Sequence, residues 1–98
     1  MYKVLTLPQF DKWMSSLRDA TTKRRLLTRL RKAQLGNLGD IKCVGEGVYE
    51  MREHFGSGWR LYYAQRGSVI IVMLVGGDKS SQATDIIEAK RLANLLED

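Results

Sequence analysis

Seven consecutive residues, Val69–Val75 (VIIVMLV), are apolar without interruption, and that run limits the folds open to this chain. A strand built from it has no side left for water. It has to lie inside a sheet with packing layers on both faces. It is far too short to cross a bilayer as a helix. Glycines mark both of its ends, at Gly67 and at Gly76–Gly77.

The rest of the sheet reads outward from this run. IKCV, VYEMREHF and WRLYYAQR are short, rich in β-branched and aromatic residues, and separated by GEG, GSG and GS. Glycine turns at that spacing predict an antiparallel meander. The opening MYKVLTL predicts one further strand. Two helical patterns follow it. Pro8 suits a first helical position, and Phe10, Trp13, Met14 and Leu17 make one apolar stripe. Thr21 or Thr22 is expected to cap a second helix that Gly36 ends. Ser80 or Ser81 is expected to cap a last helix, with Asp85 in its first turn and Ile86, Ala89, Ala93 and Leu96 along one side. The predicted order is β-α-α-β-β-β-β-α. That is an α+β class, with a mostly antiparallel sheet packed against an N-terminal helical hairpin and a C-terminal helix.

Ninety-eight residues suit a single domain, expected over 1–98. Cys43 is the only cysteine, which excludes an internal disulfide and fits a reducing cytosol. No Cys/His cluster suggests a metal, and no cofactor is expected. The strand-like start gives no sign of a secretion signal, so the expected location is cytoplasmic, with no membrane partner. GGDKSS lacks the spacing of a P-loop, which argues against nucleotide hydrolysis.

Two arginines in the central hairpin raise the question of chemistry. Side chains alternate along a strand. If no bulge interrupts the turn, Tyr49, Met51, Glu53, Phe55, Trp59, Leu61 and Tyr63 share one face. That face is apolar except for Glu53 and is expected to pack on the helices. The opposite face then carries Glu50, Arg52, His54, Arg60 and Tyr62. Two guanidiniums there need an anion between them. Glu50 is one possibility and an external phosphate is another, because guanidinium forks match phosphate oxygens. Lys79, beside two glycines and a helix start, adds a third cation near free backbone amides. Glu50 or Asp40 is a candidate base, and Lys79 or His54 a candidate acid; imidazole is the side-chain type that titrates near neutral pH.

Charge supports a polyanionic partner. The net charge is +5, and residues 1–49 carry ten basic and four acidic side chains. Within them KRRLLTRLRK, residues 23–32, holds six cations and no acid. Lys23, Arg24, Arg25, Arg29, Arg31 and Lys32 are candidates for contact with ribosomal RNA through its phosphates, or with an acidic partner segment.

The motifs together resemble a known family. GVYEMREHFGSGWRLYY followed by VIIVMLVGGDKSSQATDIIEAKRLA is similar to the HigB-like branch of the RelE/ParE toxin superfamily, the addiction-module killer proteins. Members show a Val-Tyr-Glu-Leu-Arg strand, a Gly-x-Gly-Tyr-Arg hairpin and a Gly-Gly-Asp-Lys-Ser-x-Gln strand end. Met51 and Trp59 are mild departures. The resemblance implies a RelE-like fold and a type II toxin acting as a ribosome-dependent mRNA endoribonuclease. It implies a cognate antitoxin of helix-turn-helix type, and the ribosome and mRNA as further partners. Arg52 and Arg60 match basic positions at the scissile phosphate. Glu50 falls where RelE has a lysine, and RelE's C-terminal tyrosine has no match, because Ile86 or Ile87 occupies that region. The alternative within the superfamily is a ParE-like DNA gyrase inhibitor without nuclease activity. A non-catalytic RNA-binding domain is a third reading, disfavoured because Tyr49, Trp59 and Tyr63 fall on the core parity.

Overall fold

The structure is a computed structural model that describes residues 1–96; Glu97 and Asp98, the end of the expected 1–98 domain, lie outside the described residues. Strand β1 (Lys3–Thr6) leads into α1 (Pro8–Ser16) and α2 (Ala20–Gln34). Four strands follow: β2 (Ile41–Gly45), β3 (Val48–Arg52), β4 (Arg60–Arg66) and β5 (Ile70–Gly77). A single 3-10 turn (Lys79–Ser81) then enters α3 (Gln82–Leu95). The class is α+β, and the element order is the expected one. No helix among the described residues is long and apolar enough to cross a membrane.

The sheet runs β1-β5-β4-β3-β2. The last four strands form the antiparallel meander, and β1 closes the far side by pairing parallel with β5, from Lys3 opposite Ile70 to Thr6 opposite Met73. The apolar run is therefore flanked on both edges, as its composition requires. Its first residue, Val69, stays outside the strand and 54% exposed.

Each face of the sheet has its own core. Phe10 and Met14 of α1 and Leu26 and Ala33 of α2 pack on Met51, Leu61, Tyr63, Ile71 and Met73. Ala89 and Ala93 of α3 pack on Val48, Tyr62, Ala64, Val72, Leu74 and Val75. Fully burying an aliphatic side chain contributes roughly 1.5–3 kcal/mol, so both layers hold the sheet. A register shift between β4 and β5, where Tyr62 faces Val75 but Tyr63 faces Met73, leaves Leu74 as an extra residue. Leu74 and Val75 both join the α3 side.

Helix ends differ in detail from the sequence reading. Pro8 opens α1 as expected. Asp19, not a threonine, caps α2: its carboxylate accepts from the Thr21 amide and the Thr22 hydroxyl. Gly36 ends the helix at φ 97°, with its N–H donating to Ala33 and that of Asn37 to Lys32, which is a Schellman closure. Ser81 holds the N-cap position of the last helix, as expected, but its side chain makes no capping hydrogen bond. Asp78 caps the 3-10 turn through the Ser80 amide, while the Ser81 hydroxyl donates to Asp85.

Candidate functional site

The β3–β4 register is continuous, from Val48 opposite Ala64 to Arg52 opposite Arg60. Arg52 and Arg60 are thus direct cross-strand neighbours on one face. What covers that face departs from the expectation of an open surface. Helix α3 lies over most of it, and each arginine has its own carboxylate.

Arg60 is 5% exposed. Its Nη1 donates to the Trp59 and Glu53 carbonyls, and its Nε lies 3.8 Å from Glu50 Oε1. Glu50 is fully buried, and its other oxygen accepts from the Tyr62 hydroxyl and the Gln82 amide, each at 2.9 Å. Burial, then the Glu50 carboxylate, pushes the Tyr62 phenol far up, so it remains a donor. Glu50 was a candidate base in the sequence. Sealed beneath α3, it has no route to a substrate and instead holds Arg60 in place.

Arg52 is half-buried and donates from Nη2 to Asp40 Oδ1 at 3.0 Å. The other oxygen of Asp40 lies 2.7 Å from His54 Nε2. These two partners, Arg52 first, hold the Asp40 carboxyl down at about 2. Asp40 reaches them because β2 pairs antiparallel with β3 and the Arg52 amide donates to the Asp40 carbonyl. His54 belongs to the turn after β3, not to the strand, and its side chain is 68% exposed.

A cleft of about 240 Å³ gathers His54, Arg60 and Lys79 with Gly56, Ser57 and Gly58. The turn is tied to the end of β5 by the Lys79 amide, which donates to the Ser57 carbonyl at 3.3 Å. Gly58 has φ 78° and lies against Lys79 and Arg60. A Cβ there would make only ordinary contact with both, so it is the left-handed backbone of the turn that calls for glycine. Lys79 itself is exposed. Of the predicted constellation, then, Arg60, Lys79 and His54 come together, Arg52 stands beside them held by Asp40, and Glu50 lies beneath. Ser57 went unnoticed in the sequence, because nothing local announces that a turn will dock on a distant strand end.

The cationic helix divides likewise. Arg24, Arg25, Arg31 and Lys32 are exposed and Lys23 is half-buried. Arg25 stacks over the Phe55 ring at 3.7 Å. Arg29 corrects the expectation: it is 8% exposed, donates to the Arg52, Leu38 and Asp40 carbonyls and pairs with Glu53 at 3.2 Å. Its hydrogen bonds brace the site from within, and what remains of its surface lines a cleft of about 220 Å³ with Arg24, Arg25 and Lys32. A separate groove of about 1020 Å³ lies along β1 and is lined mainly by apolar side chains such as Val4, Leu5 and Ile70. Among the described residues no group of three or more His, Cys, Asp or Glu side chains could hold a metal ion.

Comparison with known proteins adds three findings. The model of the family described as phage derived protein Gp49-like matches residues 12–96. An uncharacterized protein of Haemophilus influenzae is 40% identical over 94 residues, which cover 96% of this chain and 95% of that one. Among solved structures, a mutant of the E. coli toxin RelE in the free state superposes with a TM-score of 0.71 at 20% identity, over 97% of this chain and 98% of that one.

Proposed function

The chain belongs to the phage-derived Gp49-like family and carries the fold of RelE, and from that premise we propose that it is the toxin of a type II toxin–antitoxin pair that cuts mRNA on the ribosome. The observation that carries this reading is the cleft in which Arg60, Lys79 and His54 converge. Two cations and an imidazole around one small opening suit a phosphodiester.

In the proposed reaction the 2′-hydroxyl gives its proton to His54, and its oxygen bonds to phosphorus. The bond from phosphorus to the 5′ oxygen breaks, and that oxygen takes a proton from the Lys79 ammonium, which recovers one from water. The products are a 2′,3′-cyclic phosphate and a 5′-hydroxyl. Arg60 stays charged throughout and stabilises the extra negative charge. Its guanidinium is already fixed by carbonyls and by Glu50, so no reorganisation is needed at the moment of reaction. Arg52 adds positive charge beside the cleft. The ribosome supplies alignment, which is worth several kcal/mol in general. The outward cations of α2, Lys23, Arg24, Arg25, Arg31 and Lys32, support docking on ribosomal RNA through phosphates.

The HigB-like branch is supported by the Val48–Arg52 strand motif and by Gly76–Gln82 as GGDKSSQ. By that likeness the antitoxin is a helix-turn-helix protein and the setting is the cytoplasm.

The test is brief expression in bacterial cells, with new 5′ ends mapped on mRNA beside a Lys79→Ala control. Lys79 is exposed, so its loss leaves the core intact; circular dichroism checks that. In-frame cuts in the wild type that drop about a hundredfold or more in the control support the nuclease. Intact transcripts with accumulating double-strand DNA breaks overturn it in favour of gyrase inhibition.

A further inference from the structure

We infer that Asp40 is a positioning residue for this reaction: it binds Nε2 of His54 and thereby presents Nδ1 as the atom that accepts the 2′-hydroxyl proton. The inference rests on the nuclease reading and assigns that site a residue and a ring nitrogen.

Three observations carry it. His54 Nε2 lies 2.7 Å from Asp40 Oδ2, and a carboxylate can only accept. Nε2 therefore carries the ring proton, and in the neutral ring Nδ1 has the free lone pair. Asp40 is itself immobilised: its other oxygen takes the Arg52 guanidinium at 3.0 Å, and its backbone carbonyl accepts from both the Arg52 amide and the Arg29 guanidinium. Finally, His54 lines the cleft that holds Arg60 and Lys79, while its side chain is 68% exposed. An exposed imidazole on a glycine-flanked turn has no packing to fix its orientation. Asp40 is the contact that does so, and it comes from the bend just before β2, the strand paired with β3.

The reacting atoms follow from this. As Nδ1 takes the proton the ring becomes an imidazolium, and the Asp40 carboxylate at 2.7 Å stabilises the charge that forms. Asp40 neither gains nor loses a proton, and the imidazolium returns its proton to water after the product leaves.

The chain has one histidine, so its imidazole resonances are unambiguous by nitrogen-detected NMR on the full-length protein. In the wild type we expect the neutral ring protonated at Nε2, with that proton protected enough from solvent exchange to be observed. In Asp40→Ala the protected signal disappears. In Arg52→Ala, which leaves the Asp40–His54 contact, it stays. A ring protonated at Nδ1, or a signal that persists in Asp40→Ala, overturns the inference.

Cleavage of ribosome-bound mRNA supplies the second readout. Asp40→Ala is expected to lose about a hundredfold in turnover with little change in the concentration of substrate that half-saturates it. Asp40→Glu, which keeps the carboxylate, is expected to recover part of the loss. Wild-type cleavage with an equal rate in Asp40→Ala overturns this inference alone. No cleavage by the wild type overturns the nuclease reading, and the role given to Nδ1 falls with it.

Discussion

Arg29 and Arg24 are both arginines of one cationic run, yet they answer to different physics. Arg29 fills the buried side of α2 beside Leu26 and Ala33 and holds three backbone carbonyls. Arg29→Met removes every one of those donors and the counter-charge of Glu53, so it is expected to cost on the order of 3 kcal/mol, read as a lower urea midpoint. Arg24→Ala is expected to change stability by less than about 0.5 kcal/mol. The distinction was present in the helix phase: Arg29 stands three residues after Leu26 and four before Ala33, on the same stripe. A count of cations over residues 23–32 does not contain that phase. Glu50 illustrates the same point from the acidic side. Its charge suggested an accessible base, but Glu50→Ala is expected to cost about 3–5 kcal/mol in stability by stranding the buried Arg60 guanidinium, again measured by chemical unfolding.

At the scale of elements, α3 decides what the hairpin face becomes. Its approach is close enough that a side chain at Gly77 runs into Asp85 and Ser81; on the opposite face α1 packs as tightly, and a side chain at Gly76 runs into its Trp13 ring. Gly77→Ala is expected to destabilise by about 1–3 kcal/mol through overpacking and to push the start of α3, with Lys79, away from Arg60. Thermal unfolding and the cleavage assay on one sample check both effects. Strand alternation separated the two faces of the hairpin correctly because the register from Val48 to Arg60 has no interruption. It did not show which face is open. Ala89 and Ala93 gave the cue, since small residues at that spacing let a helix lie close to a sheet. The bulge at Leu74 was not legible, because a run apolar at every position has no alternation to break. Nor was the Asp40–His54 contact, which depends on where β2 pairs with β3 through an irregular register at Cys43–Gly45.

Charge acts on the whole molecule. The carboxyls of Asp19, Asp40, Asp78 and Glu88 all titrate below their ordinary values of 3.8 for aspartate and 4.5 for glutamate, each through hydrogen bonds to neighbouring side chains. Between about pH 4.5 and pH 2 the unfolded chain therefore binds more protons than the folded one. Stability is full above that window and falls as acid is added through it, which unfolding midpoints at pH 6, 4 and 2.5 check. On the proposed nuclease reading, the net charge of +5 makes binding to single-stranded RNA salt-dependent, and replacing Arg24 and Arg31 together is expected to flatten the slope of log K against log salt by about 1.4. Topology has an effect at this scale too. Lys3 sits beside Ile70, so β1 has no strand partner until the chain has been made through β5. A nascent chain that stops short of Ile70 has β1 without a strand partner and a cleft without Lys79. Closure of the sheet and assembly of the cleft therefore wait on the same stretch of chain, residues 70–79.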